Sequence, residues 1–323
     1  MKVLITGAGG FIGSHLADAC VKQGDTVRAL IHYNSRNNWG WLDRSEVRED
    51  LDVVTGDIRD YDSVRDAVEG CDTVLHLAAL IGIPYSYVSP LAYIRTNVEG
   101  TYNVLQVSRD AGVSNILTTS TSEIYGTAQY IPIDEKHPLV GQSPYSATKI
   151  AADQLAISFY RSFDLPVKIV RPFNTYGPRQ SARAVIPTVV TQLLKGGERI
   201  RLGNLAPTRD LTYVKDTVGG FFEILKADGL YGEVTNIGMN EETSVGDLVG
   251  LISDIMGKKV TVDVEDVRVR AANSEVERLR CDNSKIMSKT GWKPSYSLRS
   301  GLAETIEWIS RNLDVYKEKI YNI

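Results

Sequence analysis

Short apolar runs alternate with longer amphipathic segments over the first half of the chain. Val3-Leu4-Ile5 forms the first run and is followed at once by glycines, after which apolar positions recur at helical spacing to about Gln23. The same pair of patterns returns with strands at 26–31, 51–55, 73–77, 115–119 and 167–171. Helical spacing separates them at 61–69, 97–111 and 146–160. Strands of four to eight residues divided by amphipathic helices predict βαβ units, hence a parallel sheet covered on both faces. The expected fold class is α/β, a doubly wound parallel sheet.

The pattern loosens after residue 172, where Pro172, Pro178, Pro187 and Pro207 punctuate the chain. A helix at 217–227 and a strand at 234–237 then return to the sheet, so the division is discontinuous. We expect a dinucleotide-binding domain over 1–172 plus about 210–239, and a smaller mixed α/β lobe over 173–209 and 240–323. Helices at 244–256, 284–290 and 298–312 belong to that lobe, the first capped by Thr243 or Ser244, with Trp292 and Trp308 as packing residues.

With 323 residues, 43% of them hydrophobic, the chain can bury a large core. Its net charge of -4 comes from acids spread along the sequence, which excludes a nucleic-acid partner. Cys20, Cys71 and Cys281 have no paired spacing and read as reduced thiols of a cytoplasmic protein. No apolar stretch approaches the ~18 residues that span a bilayer, and the N-terminus lacks the pattern of a signal peptide. His76, alone within a strand, reads as a packed residue, and nothing points to a metal site.

Chemistry first enters at Gly7-x-x-Gly10-x-x-Gly13, set between a strand and a helix that begins at Phe11-Ile12. Glycines at these places allow a tight turn, close approach of backbone to a pyrophosphate and close helix–strand packing. The helix N-terminus adds unpaired N–H groups and the positive end of a dipole. A carboxylate at the end of the second strand commonly holds the ribose hydroxyls of NAD, but His32-Tyr33-Asn34-Ser35-Arg36 stands here. Asn34, Ser35 and Arg36 tilt the expected cofactor from NAD toward NADP, with Arg36 as a solvated loop charge the alternative. Trp39-Gly40-Trp41-Leu42 is expected to fold over the adenine side, with ordinary surface anchoring the alternative. Asp57 is placed to accept from the adenine amino group, with Ile58 against the ring, and the small residues Ala78 and Ala79 let backbone approach the cofactor. Tyr145 and Lys149, four apart on a helix, share one face. A close ammonium favours the phenolate, giving a base for an alcohol proton.

These segments together resemble the extended short-chain dehydrogenase/reductase superfamily over nearly the whole chain. The carriers are the glycine turn, Asp57-Ile58, His76-Leu77-Ala78-Ala79, Asn97-Val98-x-Gly100-Thr101, Ser120-Thr121-Ser122-Glu123-x-Tyr125-Gly126 and Tyr145-x-x-x-Lys149. The resemblance implies a Rossmann-type domain in which Leu77, Ala78, Ala79, Asn97, Tyr145 and Lys149 help to hold the cofactor. Glu123 and Ser143-Pro144-Tyr145-Ser146-Ala147-Thr148-Lys149 look like the nucleotide-sugar 4,6-dehydratases. Tyr33-Asn34-Ser35-Arg36-Asn37 and Phe173-Asn174-Thr175-Tyr176-Gly177-Pro178-Arg179-Gln180 look similar to the dehydratases that act on GDP-N-acetylglucosamine in the legionaminic acid route.

That likeness implies a homodimer (or higher homo-oligomer) and a nucleotide-diphosphate sugar as substrate. Thr121, Ser122, Glu123, Tyr145 and Lys149 would be the catalytic residues. Asn174 and Arg209 would bind the diphosphate, Arg278 would add a second contact, and Arg270 belongs to the same segment. Val185 opens a helix placed to flank the base. Ser122 stands where dTDP-glucose dehydratases carry an acid, so Glu123 is expected to move both protons. Thr121-Ser122-Glu123 also resembles UDP-glucuronate decarboxylases, and 4-epimerases share the scaffold. A non-catalytic sensor of NAD(P) is the reading from another class.

Overall fold

The computed structural model describes residues 1–265, 268 and 272–316. Seven parallel strands form one sheet in the order Val234–Ile237, Val167–Pro172, Asn115–Thr119, Thr73–His76, Lys2–Thr6, Thr26–Ile31 and Leu51–Thr55. Ile5 pairs with Ala29 on one side and Leu75 on the other. The central strands are mostly apolar because helices cover both faces, and Thr73–His76 and Val167–Pro172 are buried at every residue, the polar His76, Lys168 and Arg171 included. The edge strand Leu51–Thr55 has no fully buried residue.

Each face has its own core. Leu16, Ala17 and Cys20 of the helix Phe11–Lys22 pack with Val218, Phe221 and Phe222 of Val214–Lys226. On the opposite face Val64, Val104, Leu105, Ala156 and Phe159 come together from the helices Tyr61–Val68, Gly100–Asp110 and Pro144–Phe163. Burying each such side chain contributes on the order of 1.5–3 kcal/mol. Successive strands run outward from Lys2–Thr6 to Leu51–Thr55, then resume on the other side at Thr73–His76. The strand order therefore reverses between Lys2–Thr6 and Thr73–His76, where open parallel sheets bind ligands.

The helix expected at 97–111 is longer and less regular. Helical structure starts at Pro90, with proline in the first turn, and passes through a π-helical turn at Ile94–Glu99 before Gly100–Asp110. Such turns insert an extra residue and re-aim side chains, often at functional sites. The 217–227 helix begins earlier, at Val214, with Asp216 in its first turn. Among the described residues the second lobe has no continuous sheet. It carries three two-stranded ribbons, pairing Asn174–Tyr176 with Leu211–Tyr213, Arg199–Leu202 with Thr261–Val264, and Thr208–Arg209 with Thr243–Ser244. Helices Val185–Leu194, Val245–Met256 and Leu298–Arg311 pack Val189, Ile252 and Leu302 onto the same core as the first face of the sheet. No helix among the described residues is long and apolar enough to cross a membrane.

Candidate active site

The carboxyl ends of the sheet strands open into a cavity of about 1170 Å³ that runs between the two lobes. Gly7, Gly10, Phe11, Ile12 and Gly13 form its floor. Gly7 has φ +72, and a Cβ on it would come within 2.8 Å of the Ala78 nitrogen. Gly10 donates to the Gly7 carbonyl at 3.0 Å, closing the turn. A backbone this close, without side chains, leaves room for the pyrophosphate that the spacing implies, so the residues present fit a dinucleotide.

The far end of this floor is built differently from the sequence expectation. Among Asn34, Ser35 and Arg36, only Asn34 lines the cavity, and its side chain ties its own loop by bonding Asn38, Arg36 and the Asn38 carbonyl. Ser35 and Arg36 are exposed and lie outside the wall, because this turn folds their side chains outward. His32, Asn38, Asp57 and Arg59 line it instead, beside Ile58. The Arg59 guanidinium grips Asp57 through both carboxylate oxygens and holds that carboxyl at about 2. Trp39 and Gly40 close this end, fastened where the Trp41 N–H donates to the Gly9 carbonyl at 3.0 Å.

Leu77, Ala78 and Ala79 form the opposite wall. Thr6 Oγ1 receives the N–H groups of Leu77 and Ala78 at 3.1 Å each and meets His76 Nδ1 at 2.8 Å. His76 also meets Thr101 at 3.1 Å, and burial lowers its imidazole to about 3, so it stays neutral. Asn97 corrects the expectation of a direct cofactor contact. It is buried off the cavity, accepting from Leu80 N at 2.8 Å and donating to Leu80 O at 3.0 Å and Thr148 Oγ1 at 3.1 Å. The π-helical turn aims it inward, so it ties the Leu77–Leu80 wall to the helix of Tyr145.

That helix begins at Pro144 behind a capping box made by Ser143 and Ser146, which places Tyr145 in the first turn. The Tyr145 and Thr121 hydroxyls lie near enough to interact, and both residues line the cavity with Glu123. Thr121 caps the short 3-10 helix Ser122–Tyr125, accepting from the Glu123 N–H at 3.3 Å. Ser122 points the other way. It is 2% exposed and absent from the wall, as the turn alternates Thr121 and Glu123 outward with Ser122 inward.

Lys149 is buried and donates to the Thr119 carbonyl at 2.7 Å, and burial lowers its pKa. Shared helical spacing does not by itself activate the phenol. Burial raises the Tyr145 pKa above its ordinary value, the Thr121 hydroxyl opposes this, and the Glu123 charge adds to it. The protein's own groups thus hold Tyr145 protonated.

Beneath this triplet lies a buried network that sequence reasoning missed. Ser120 donates to Asp153 at 2.7 Å, and Asp153 pairs with Arg171 at 2.9 Å. Arg171 donates on to the Tyr125 hydroxyl at 2.9 Å, which donates to Asn236 at 2.8 Å. The available signal was Asp153, four residues beyond Lys149 on the same helical face.

In the second lobe, Asn174, Val185 and Arg209 line the cavity. Asn174 Oδ1 is buried without a hydrogen-bond partner among the described residues, an acceptor open to a ligand. Arg209 pairs with Glu275 at 3.0 Å, and Glu275 also faces the cavity. Arg278 does not reach it. Glu242 grips its guanidinium at 2.8 and 3.0 Å from Nε, because a carboxylate fork is the preferred partner of that group. Arg270 lies outside the described residues.

The family model described as GDP-mannose 4,6 dehydratase matches residues 4–305. A dTDP-glucose 4,6-dehydratase from Streptomyces antibioticus is 33% identical over 97% of this chain and 93% of its own. A crystal structure of the dTDP-glucose 4,6-dehydratase from Streptomyces venezuelae, with NAD bound, superposes with a TM-score of 0.86 at 32% identity, covering 98% of this chain and 99% of that one. UDP-glucuronic acid 4-epimerase from Bacillus cereus, in complex with NAD and UDP-glucuronic acid, reaches 0.87 at 28% identity, over 97% and 100% of the two chains. With the matched model spanning nearly its whole length, the chain is an enzyme of the GDP-mannose 4,6 dehydratase family.

Proposed function

We propose that this enzyme is a nucleotide-sugar 4,6-dehydratase, and that its substrate is GDP-N-acetylglucosamine. The observation that carries the reading is the meeting of Thr121, Glu123 and Tyr145 on one wall of a cavity that also holds the glycine turn. A nicotinamide cofactor, NAD or NADP, resting on Gly7–Gly13 and against Leu77–Ala79, would take hydride from C4 of the sugar and return it to C6.

The chain's own residues move the protons. The positive charge of an oxidised nicotinamide would favour the phenolate that the protein's own groups disfavour, and in that form Tyr145 accepts the C4 hydroxyl proton while Thr121 holds the same oxygen. The resulting C4 ketone makes the C5 hydrogen acidic, since the carbanion delocalises onto it. Glu123 removes that hydrogen and passes a proton to the departing C6 hydroxyl, which leaves as water. Glu123, ionised again by that transfer, takes up a proton from solvent, equivalent to the one Tyr145 gives up, and delivers it to C5 as C6 is reduced. Ser122, buried away from the cavity, has no part in this, so one carboxylate serves both transfers. Asn174 and Arg209 are assigned to the diphosphate, and Val185 to the base.

The likeness to a UDP-glucuronic acid 4-epimerase favours one rival. An epimerase needs no base at C5, so Glu123 weighs against it. The helices Gly100–Asp110 and Pro144–Phe163 present Tyr102 and Phe163, 44% and 46% exposed, and we assign this face to a homodimer. The test of function is incubation with GDP-, UDP- and dTDP-hexoses, read by mass spectrometry. Loss of one water from a GDP-hexose supports the reading, and an unchanged mass throughout the panel refutes it.

A further inference from the structure

Four arginines line the cavity among the described residues: Arg59, Arg183, Arg209 and Arg268. Three of them already face a carboxylate. Arg59 grips Asp57, Arg209 meets Glu275 at 3.0 Å, and Arg268 meets Glu265 at 2.7 Å. A cation so paired presents little net field to another anion, which must displace the carboxylate to bind it closely.

Arg183 differs. Its Nε meets the hydroxyl oxygen of Ser181 at 3.3 Å, and its guanidinium has no carboxylate partner among the described residues. Arg183 precedes the helix Val185–Leu194 of the second lobe, yet its guanidinium reaches across to Gly82, at the start of the helix Ile83–Val88 of the first. A Cβ on Gly82 would come within 2.9 Å of Nη1, so the bare backbone at Gly82 makes room for it. The hydroxyl of Tyr93 donates to the Gly82 carbonyl, and the Tyr93 ring stands edge-on to Tyr145 with centroids 6.3 Å apart. Arg183 therefore stands at the hexose end of the cavity, one ring beyond the catalytic tyrosine, and its charge is not cancelled.

We infer that Arg183 is the main electrostatic anchor for the substrate's diphosphate and takes the phosphate that bears the hexose. The inference rests on the nucleotide-sugar reading given above. It divides labour between two arginines. Arg183 attracts the diphosphate without giving up a partner, and Arg209 follows by exchanging Glu275 for a phosphate oxygen. Because Arg183 spans from one lobe to the other, binding there also draws the second lobe over the sugar.

The test is calorimetric titration of GDP, UDP and dTDP into the wild type, Arg183→Ala and Arg183→Lys, with the matching nucleoside monophosphates and NAD as controls. Arg183→Ala is expected to weaken the preferred diphosphate by roughly 10- to 100-fold, the loss of one or two charge-assisted hydrogen bonds. Monophosphate and NAD affinities should stay within about threefold, and Arg183→Lys should fall between, since lysine restores charge but not the fork. The gap between wild type and Arg183→Ala should narrow as salt rises. A diphosphate affinity unchanged in Arg183→Ala overturns the inference alone, as does an equal loss for monophosphate and diphosphate. Failure of the wild type to bind any of the three diphosphates overturns the nucleotide-sugar reading as well.

Discussion

Arg171 and Asp153 form a buried ion pair directly beneath the catalytic turn. Nε and Nη2 of Arg171 both donate to one oxygen of Asp153, at 3.0 and 2.9 Å, and each side chain is 3% exposed. Ser120 donates to that same oxygen, so the pair fixes where Thr121 and Glu123 begin. Asp153→Ala leaves a buried guanidinium uncompensated and is expected to cost roughly 3–5 kcal/mol. Urea unfolding of both proteins measures this, and a loss under about 1 kcal/mol would contradict the role given to the pair.

Glu123→Gln and Tyr145→Phe separate the two halves of the reaction. The first is expected to keep cofactor affinity and oxidation at C4, and to lose elimination. In heavy water it should no longer exchange the C5 hydrogen, and exchange at the wild-type rate would remove Glu123 from its role. Tyr145→Phe loses general-base catalysis at C4, worth roughly 100- to 10,000-fold in turnover. Turnover within a few-fold of wild type would rule out Tyr145 as the base.

The sheet and the glycine turn were legible because both depend on local signals, namely the period of apolar residues and the spacing of glycines. Thr121, Glu123 and Tyr145 were legible for a related reason, as strand-end and helix positions that the topology brings together. The exceptions arose where one residue's place depends on a distant partner. Ser122 turns inward with the 3-10 helix, and Asn97 is aimed by a π-helical turn that no propensity announces. Arg278 is taken by Glu242, 36 residues away in the chain. Arg36 falls outside the cavity because Asn34 folds its own loop. Arg183 carries no motif. Its place becomes visible only when the two lobes face each other.

Asp210 gives a pH dependence of stability with a definite sign. It is fully buried beneath the junction of the lobes, accepting from the Met239 N–H at 2.7 Å and the Cys281 N–H at 3.1 Å. Burial raises its carboxyl from 3.8 to about 7, against the pull of those hydrogen bonds. The folded state therefore holds a proton that the unfolded chain has released between those two values. Its contribution to stability is full below the unfolded value and declines as pH rises to about 7. Melting of the wild type and Asp210→Asn across this range should show the wild type's relative stability falling with pH. A constant or rising difference would contradict it.

The exposed Tyr102 and Phe163 predict self-association through the helices Gly100–Asp110 and Pro144–Phe163. Light scattering at micromolar concentration should give twice the chain mass, and Phe163→Glu should shift the equilibrium toward monomer. A monomer mass for the wild type would dismiss this interface.

The internal return of hydride is the claim on which the account turns, and an isotope reports it directly. GDP-N-acetylglucosamine carrying deuterium at C4 is incubated with the enzyme in ordinary water, and the product is read by mass spectrometry and proton NMR. The account predicts one molecule of water lost and the deuterium found at C6. Deuterium retained at C4 without loss of water would contradict it and point to an epimerase.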